Sequence, residues 1–154
     1  MKGDKGVIKH FNIVLTNELT AINQYFLHSR MFKDWGYKKL GEKEYEDSVD
    51  EMKHADKIIE RILFLDGIPN VQDMHKIMIG EEPVECVNCD FKLEEKAIPE
   101  LKEAIEHCEK ISDFVSRNIF REILDSEEEH YDWLETQLEL VQKVGRENWL
   151  QSQM

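Results

Sequence analysis

The sequence predicts an all-α fold: a four-helix bundle with a long crossover between helices two and three and a short fifth helix at the C-terminus. Only 7 glycines and 3 prolines interrupt the 154 residues, and the stretches between them are rich in Leu, Ile, Glu and Lys, which favour helix. Apolar residues recur at the 3.6-residue spacing of an amphipathic helix. This length is enough for one sizeable core, so residues 1–154 are predicted to form a single domain.

The first two helices are expected to form a hairpin. Asp4 is a suitable N-cap for a first helix that runs to about Asp34, and Gly36 marks the turn that follows it. The second helix extends from about Lys38 to Leu65. Because only a short link separates these two long helices, they are expected to lie antiparallel to each other.

The next segment is predicted to cross the length of the bundle, because it is too long for a tight helical hairpin. It runs from Asp66 to Pro83 and contains two glycines and two prolines. The third helix begins at Pro83 or Cys86 and ends at about Ile111. Pro99 lies inside this helix and removes one backbone donor, so it is expected to kink the helix or to start a fresh turn.

The chain ends with a fourth long helix and a short one. The fourth helix starts at Ser112 or Asp113 and continues to Val144, where Gly145 closes it. The tail helix spans Arg146–Ser152.

The charge balance and the N-terminal segment exclude several classes of protein. Asp and Glu total 33 against 20 Lys and Arg, and a net charge of -13 argues against binding to a phosphate backbone. No apolar run approaches the ~20 residues of a membrane span, and the first residues lack the apolar core of a signal peptide. The 3 cysteines do not make a disulfide framework. We therefore expect a cytoplasmic protein with no nucleic-acid or membrane partner.

Glutamate and histidine occupy positions in the helical stripes where apolar core residues are expected. Glu18 does so in the first helix, and a Glu-x-x-His pair, Glu51 with His54, does so in the second. Glu127 and His130 form a second such pair in the fourth helix. Residues three apart share a helical face, and buried carboxylates cost several kcal/mol unless they are paired or bound to a cation.

The spacing of these residues reveals an internal repeat. Glu18 precedes Glu51 by 33 residues, and Glu94 precedes Glu127 by the same 33 residues. The whole first set recurs 76 residues later, and the same register selects Glu94 rather than its neighbour Glu95. Two helical hairpins therefore each supply one Glu and one Glu-x-x-His, and the six residues are Glu18, Glu51, His54, Glu94, Glu127 and His130.

Four carboxylates and two imidazoles that converge inside a bundle predict a dinuclear metal site. This ligand mixture suits iron or manganese and also binds zinc, and oxygen donors favour the oxidation of Fe(II). We expect Glu51 and Glu127 to bridge the metals, and the other four residues to be terminal ligands. The alternative is a buried polar network without metal. Tyr25 shares the face of Glu18 and could bond a ligand, donate an electron or simply pack in the core.

Met52 points away from the core stripe, on an outer face that is partly apolar. Such a face usually marks an interface, and across a two-fold axis each Met52 would meet its symmetry mate. Two thioethers could then ligate one haem iron, although packing at an interface is the more common role of an outward methionine.

The sequence resembles bacterioferritin over essentially the whole chain. The segments NELTAINQYFLHSRMFKDWG, DEMKHADKIIERILFLDGIPN and EEEHYDWLETQLELV match that family's core signatures, with both Glu-x-x-His motifs and Met52 in place. The resemblance implies a ferritin-like four-helix bundle that assembles into a 24-subunit shell of two-fold dimers. It also implies a catalytic di-iron centre at the six repeated residues, which oxidises Fe(II), and a ferric mineral stored in the cavity.

The resemblance further implies haem b at the dimer interface, with Met52 as its axial ligand. Iron release would proceed by reduction through the haem with a small ferredoxin partner, and a second ferritin subunit type could join the shell. Positions near the haem pocket are Leu19, Ile22, Asn23, Phe26, Tyr45 and Lys53. Positions at ion-entry pores are Asp34, Asp66, Asp132 and Glu139, for which a solvated acidic face is the alternative.

Five further residues depart from the pattern or stand outside it. Glu46 replaces the histidine with which some relatives, together with the residue matching Asp50, bind iron at the inner surface. Cys86 and Cys89 form a single CxxC motif that could lower a thiol pKa or bind zinc, but ordinary reduced cysteines are favoured. His28 and His107, which have no counterparts in the repeat, are expected to be surface or hydrogen-bonded histidines.

Two other functions share the predicted fold. One is a di-iron peroxidase or oxygenase, and the other is a structural shell that carries haem above a silent metal site. The sequence lacks the paired CxxC motifs of a rubredoxin module, which speaks against a rubrerythrin-like peroxidase.

Overall fold

The computed structural model describes residues 1–154 as five helices without strands, and the predicted all-α fold is confirmed. The predicted helix ends differ from the observed ones by no more than a few residues. α3 runs without interruption through Pro99, so this proline starts no new helix. None of the helices has the length and apolarity that a membrane span needs. The helices are α1 (Lys5–Asp34), α2 (Lys38–Phe64), α3 (Pro83–Lys110), α4 (Phe114–Val144) and α5 (Arg146–Ser152).

Side-chain caps fix where three of the four long helices begin, namely α1, α3 and α4. Asp4 accepts a hydrogen bond from the backbone N–H of Val7 at 3.0 Å, and Asp113 accepts one from Ser116 at 3.0 Å. Glu82 caps α3, which has Pro83 at the position where a missing N–H costs nothing. These caps satisfy backbone donors that would otherwise have no partner.

Two apolar clusters fill the two ends of the bundle. One contains Val7 and Phe11 from the start of α1 together with Ile62 from the end of α2 and Phe120 from the start of α4. The other contains the end of α1 and the starts of α2 and α3, and α5 adds Trp149 to it. α1 and α2 therefore run antiparallel, as do α3 and α4. α2 and α3 run parallel, because the segment between them spans the length of the bundle as predicted.

Polar side chains of α1 hold this crossover segment in place. Asn12 donates to the carbonyl of Ile68 at 3.2 Å, and Thr20 accepts from the backbone N–H of His75 at 3.0 Å. Further along, Gln24 accepts from the backbone of Met78 and His28 accepts from that of Gly80. The bonds satisfy crossover backbone groups that have no helix or sheet partner of their own.

We predict that Phe120→Ala destabilises the protein by about 3–5 kcal/mol, because it removes a fully buried ring and leaves a cavity. The ring stacks on Phe11 with centroids 4.1 Å apart. Unfolding followed by far-UV circular dichroism at fixed protein concentration measures the loss. Val115→Ala, at a side chain that is 59% exposed, is the control and should change little. Equal effects of the two substitutions would contradict this account of the core.

Candidate metal centre

A buried polar layer separates the two apolar clusters at the middle of the bundle. Each of the four long helices contributes to it, and α2 and α4 contribute a Glu-x-x-His pair. The four glutamates and His130 are at most 6% exposed, and the side chain of His54 is 12% exposed. The structure thus brings together all six residues of the sequence repeat, namely Glu18, Glu51, His54, Glu94, Glu127 and His130.

The six residues form two overlapping donor groups that each could hold a metal ion. Glu18 and His54 belong only to the first group, and Glu94 and His130 belong only to the second. Both groups include Glu51 and Glu127. Within each group, the candidate ligand atoms lie within 4.8 Å of one another. Two shared glutamates thus lie between two pairs of donors, and this is the grouping that the bridging and terminal roles expected from the sequence require.

His54 lies among three carboxylates. Its Nδ1 atom is 3.4 Å from an oxygen of each of Glu18, Glu51 and Glu127. None of these approaches has the alignment of a hydrogen bond, so Nδ1 has no hydrogen-bond partner. One nitrogen at equal distances from three carboxylate oxygens is the arrangement of a ligand set around a common centre.

His130 lies between Glu94 and a residue to which the sequence assigned no role, Asp47. Its Nδ1 is 3.2 Å from Glu94 Oε1, and its Nε2 is 2.9 Å from Asp47 Oδ2. Lys43 in turn donates to Asp47 at 2.8 Å. A carboxylate behind a histidine fixes the orientation of the ring, which makes Asp47 a candidate positioning residue. Its only sequence signal was its place in the core stripe of α2, seven residues before His54.

Tyr25 also contacts Glu94. It is fully buried, its hydroxyl donates to Glu94 Oε1, and its ring meets His130 edge-on at a centroid distance of 5.0 Å. Burial, followed by the nearby charge of Glu94, raises the pKa of Tyr25 well above its usual value. Of the roles that the sequence left open, a hydrogen bond to a candidate ligand is the one that the geometry shows.

Burial and mutual repulsion raise the pKa values of two of the carboxyl groups, Glu94 and Glu127. Burial, and next the charge of Glu127, raises the pKa of Glu94 well above its usual range. Burial and the charge of Glu51 raise the pKa of Glu127 to about 7. For His54, burial favours the neutral ring, but the adjacent carboxylates of Glu127 and Glu51 outweigh it and raise the pKa to about 10. Protons thus partly offset the negative charge that a cation would otherwise balance.

Several buried polar atoms in this layer have no hydrogen-bond partner, although buried groups in folded proteins rarely lack one. Each of these atoms belongs to one of the six repeated residues or to Asp47, and each could bind a metal ion or a proton. The atoms are Glu18 Oε2, Asp47 Oδ2, His54 Nδ1, Glu94 Oε2, Glu127 Oε1 and His130 Nε2.

A small polar cleft of about 70 Å³ leads to this layer from the surface. Glu51 and His130 line its inner part together with Asp47. Asp50 and Glu129 are exposed in the same cleft, which Lys43 and Ser126 also line. A cation would therefore meet carboxylates in both the outer and the inner part of the cleft, beside one lysine.

Met52 lies on the outer face of α2, as predicted, and is 56% exposed. Phe26 of α1 and Tyr45 of α2 are also exposed, and the guanidinium of Arg30 lies about 5 Å from both rings. Tyr45 lies two helical turns before Met52 on the same face of α2. This apolar face has no partner within the single chain, which is compatible with the predicted interface.

The remaining predicted positions lie at the surface. The acidic residues assigned to pores or to the inner surface are exposed, and these are Asp34, Asp66, Asp132, Glu139, Glu46 and Asp50. His107 Nε2 donates a hydrogen bond to Asp4 at 2.8 Å. His28 is the exception to the surface placement, because it is fully buried, but it is hydrogen-bonded, so both histidines agree with the expectation.

The CxxC motif does not contain an activated thiol. Cys86 is fully buried, and Cys89 is partly buried. Burial, with a smaller contribution from Asp90, raises the pKa of Cys86 to about 12 and also raises that of Cys89. The alternative of a lowered thiol pKa is therefore wrong, because the site is apolar and its nearest charges are negative.

The helical bundle and its buried carboxylate–histidine layer define a ferritin-like protein. The family model described as ferritin-like domain matches residues 8–144. Bacterioferritin of Brucella melitensis is 47% identical over 149 residues, which cover 97% of this chain and 92% of that protein. Bacterioferritin of Rhodobacter capsulatus is 48% identical over 94% of this chain and 90% of its own length. The bacterial ferritin of a Synechocystis species is 43% identical over 100% of this chain and 99% of its own length. The chain belongs to the bacterioferritin family.

We predict that Glu94→Gln raises the melting temperature of the metal-free protein by about 2–4 °C, equivalent to about 1 kcal/mol. The amide keeps an oxygen for the Tyr25 hydroxyl and removes one buried acidic group that repels Glu127. Glu95→Gln, at the exposed neighbouring position, is the matched control and should leave the melting temperature unchanged. A lower melting temperature for Glu94→Gln would show that the layer is stable without a cation.

Proposed function

We propose that this protein stores iron and that its buried polar layer is a ferroxidase centre, which oxidises Fe(II) to Fe(III). The observation that carries the proposal is the pair of overlapping donor groups, which share two glutamates and contain unpartnered buried atoms. The names of its relatives, which are bacterioferritins and a bacterial ferritin, support the same function.

Two Fe(II) ions are the substrate of the proposed centre. Glu18 and His54 hold one ion, Glu94 and His130 hold the other, and the shared Glu51 and Glu127 bridge them. Neutral imidazole and carboxylate together suit iron, and hard carboxylate oxygens stabilise the ferric state more than the ferrous state. Binding displaces the protons that the metal-free layer retains, because ligands bind metal in their deprotonated form.

Each Fe(II) ion gives up one electron, and the oxidant takes both. Hydrogen peroxide with two protons yields two water molecules, and dioxygen accepts the same two electrons to yield peroxide. The Fe(III) products then leave for the mineral. Asp47 and Tyr25 act as positioning residues, since they hold His130 and Glu94. The acidic cleft beside His130 is the proposed path for Fe(II).

The storage function requires a shell around the mineral. We propose that the chain forms a homo-oligomer of 24 subunits built from two-fold dimers, each chain being one ferritin-like domain, with the exposed apolar face of α1 and α2 at the dimer axis. A second ferritin subunit type could share this shell, and the assembly is proposed to act in the cytoplasm.

The same face suits haem b. Met52 offers a thioether at an exposed position two helical turns from Tyr45, whose ring centroid lies 6.4 Å from that of Phe26. A two-fold axis would pair Met52 with the partner's copy. When bound, haem supplies an electron path for reducing the stored ferric mineral, and a small ferredoxin is the proposed electron donor. Met52 would hold the haem iron through its thioether sulfur, and the exposed aromatic side chains of Phe26 and Tyr45 would supply apolar surface for the haem.

We predict that Glu18→Ala slows the initial oxidation of Fe(II) in air by about 100-fold or more, because it removes a ligand of one ion. The variant should remain helical and assembled, since the buried carboxylate is replaced by a small apolar group. Absorbance of ferric products after anaerobic loading and admission of air measures the rate. Glu103→Ala, on the exposed face of α3, is the control.

Several results of that experiment would count against the proposal. Oxidation at the original rate in Glu18→Ala would show that the centre lies elsewhere. A requirement for an organic substrate would favour an oxygenase, and no oxidation by the unaltered protein would favour a structural shell.

We predict that Met52→Leu removes haem and leaves Fe(II) oxidation at the original rate. Leucine keeps the apolar volume but cannot ligate iron, and Met52 lies on the outside of α2 from the ferroxidase centre. Haem content is measured by its absorbance per subunit after reconstitution, with Met78→Leu on the crossover as the matched control. Haem bound at full stoichiometry by Met52→Leu would overturn the axial role.

A further inference from the structure

A second buried cluster of titratable side chains lies outside the proposed ferroxidase centre. It consists of His28 from α1, Glu44 from α2 and Asp90 from α3, all with 0% exposure. One potential ligand atom of each residue lies within 4.8 Å of those of the other two. Asp90 precedes Glu94 by one helical turn, so the cluster lies about 6 Å along α3 from the ferroxidase residues.

Hydrogen bonds fix the protonation of His28 in this cluster. The backbone N–H of Gly80 donates to Nε2 at 3.1 Å, so Nε2 carries a lone pair and the hydrogen is on Nδ1. Nδ1 then donates to Asp90 Oδ1 at 2.9 Å, and the side-chain amide of Gln24 donates to the same oxygen at 2.9 Å. The imidazole is neutral, and Asp90 is held by two donors that both use Oδ1.

Three carboxyl oxygens of the cluster are left without a hydrogen-bond partner. They are both oxygens of Glu44 and the second oxygen of Asp90, and all of them are buried. No lysine or arginine forms an ion pair with either residue. His28 contacts Asp90, and the carboxyl groups of Glu44 and Asp90 lie beside each other. Burial, and next the charge of Asp90, raises the pKa of Glu44 well above its usual range. Two carboxyl groups in this position need either a proton or a cation between them.

We propose that Glu44 and Asp90 bind one divalent metal ion through these three oxygens, at a site separate from the ferroxidase centre. The charge of the ion balances the two carboxylates, and its entry displaces the proton that Glu44 otherwise retains. His28 is a positioning residue rather than a ligand, because both of its nitrogens already have partners.

The donor set also selects among metals. Hard oxygen ligands suit Mn(II), Fe(II) and Mg(II) better than soft ions. Mg(II) demands a near-ideal octahedron and keeps several of its waters, for which a fully buried cluster with three protein oxygens is a poor host. A first-row ion such as Mn(II) or Fe(II) is therefore the expected occupant.

Mn(II) is the probe for this site, because it does not depend on iron oxidation and is counted by its electron paramagnetic resonance signal. The full-length protein is stripped of metal and loaded in enough salt to screen weak surface binding. We expect Glu44→Gln to lose about one tightly bound Mn(II) per subunit relative to the unaltered protein. Glu42→Gln, on the exposed face of the same helix, is the matched control and should lose none.

A Glu18→Ala, Glu127→Ala background separates this inference from the proposed ferroxidase. That background removes donors of both groups in the central layer, and it should still retain about one Mn(II) per subunit that Glu44→Gln then abolishes. Loss of all tight binding in the background alone would overturn the inference and leave the ferroxidase proposal intact.

Crystals of the unaltered protein soaked in Mn(II) provide a test that requires no variant to fold. We expect an anomalous scattering peak between Glu44 and Asp90. Filled ferroxidase positions with no peak at this cluster would overturn the inference and show that the two carboxyl groups share a proton instead.

Discussion

The buried negative charge at the middle of the bundle is the constraint on which the rest of the structure depends. Four glutamates are almost completely removed from water, and only histidines, a tyrosine and shared protons offset their charge. Such a layer costs stability, so the apolar clusters at either end must stabilise the bundle around it. The polar layer therefore lies between two large apolar clusters, which hold the four long helices together.

The two-hairpin repeat explains how the charge is distributed. Each hairpin supplies one lone glutamate and one Glu-x-x-His pair, so the central layer has nearly equivalent halves that meet at Glu51 and Glu127. The halves are not identical, because Glu94 bonds to Tyr25 and His130 approaches Asp47, whereas Glu18 and His54 have no such supports. This difference predicts two metal positions with different affinities.

The crossover segment between α2 and α3 connects the buried cluster of His28, Glu44 and Asp90 to the surface of the bundle. Its backbone is bonded to side chains of α1 along most of that helix, and the last of these, His28, reaches the buried carboxyl groups of Glu44 and Asp90. The Gly80 amide thereby sets the tautomer of His28, which in turn orients Asp90. The crossover, which contains no helix or strand, thus influences the hydrogen bonding of the buried carboxyl group of Asp90.

The sequence by itself determined the five helices, the two antiparallel hairpins with the crossover between them, the six donors of the central layer and their division into two groups. It could do so because helical periodicity and a repeat of 76 residues are properties of local spacing. It did not assign roles to Asp47, Glu44 or Asp90, although all three lie on core faces, since lone acidic residues have no distinguishing pattern. It also left open the state of the CxxC motif. Only the tertiary structure decided these points, because burial and the meeting of side chains from different helices depend on how the helices pack, and packing sets both the pKa of a group and its partners.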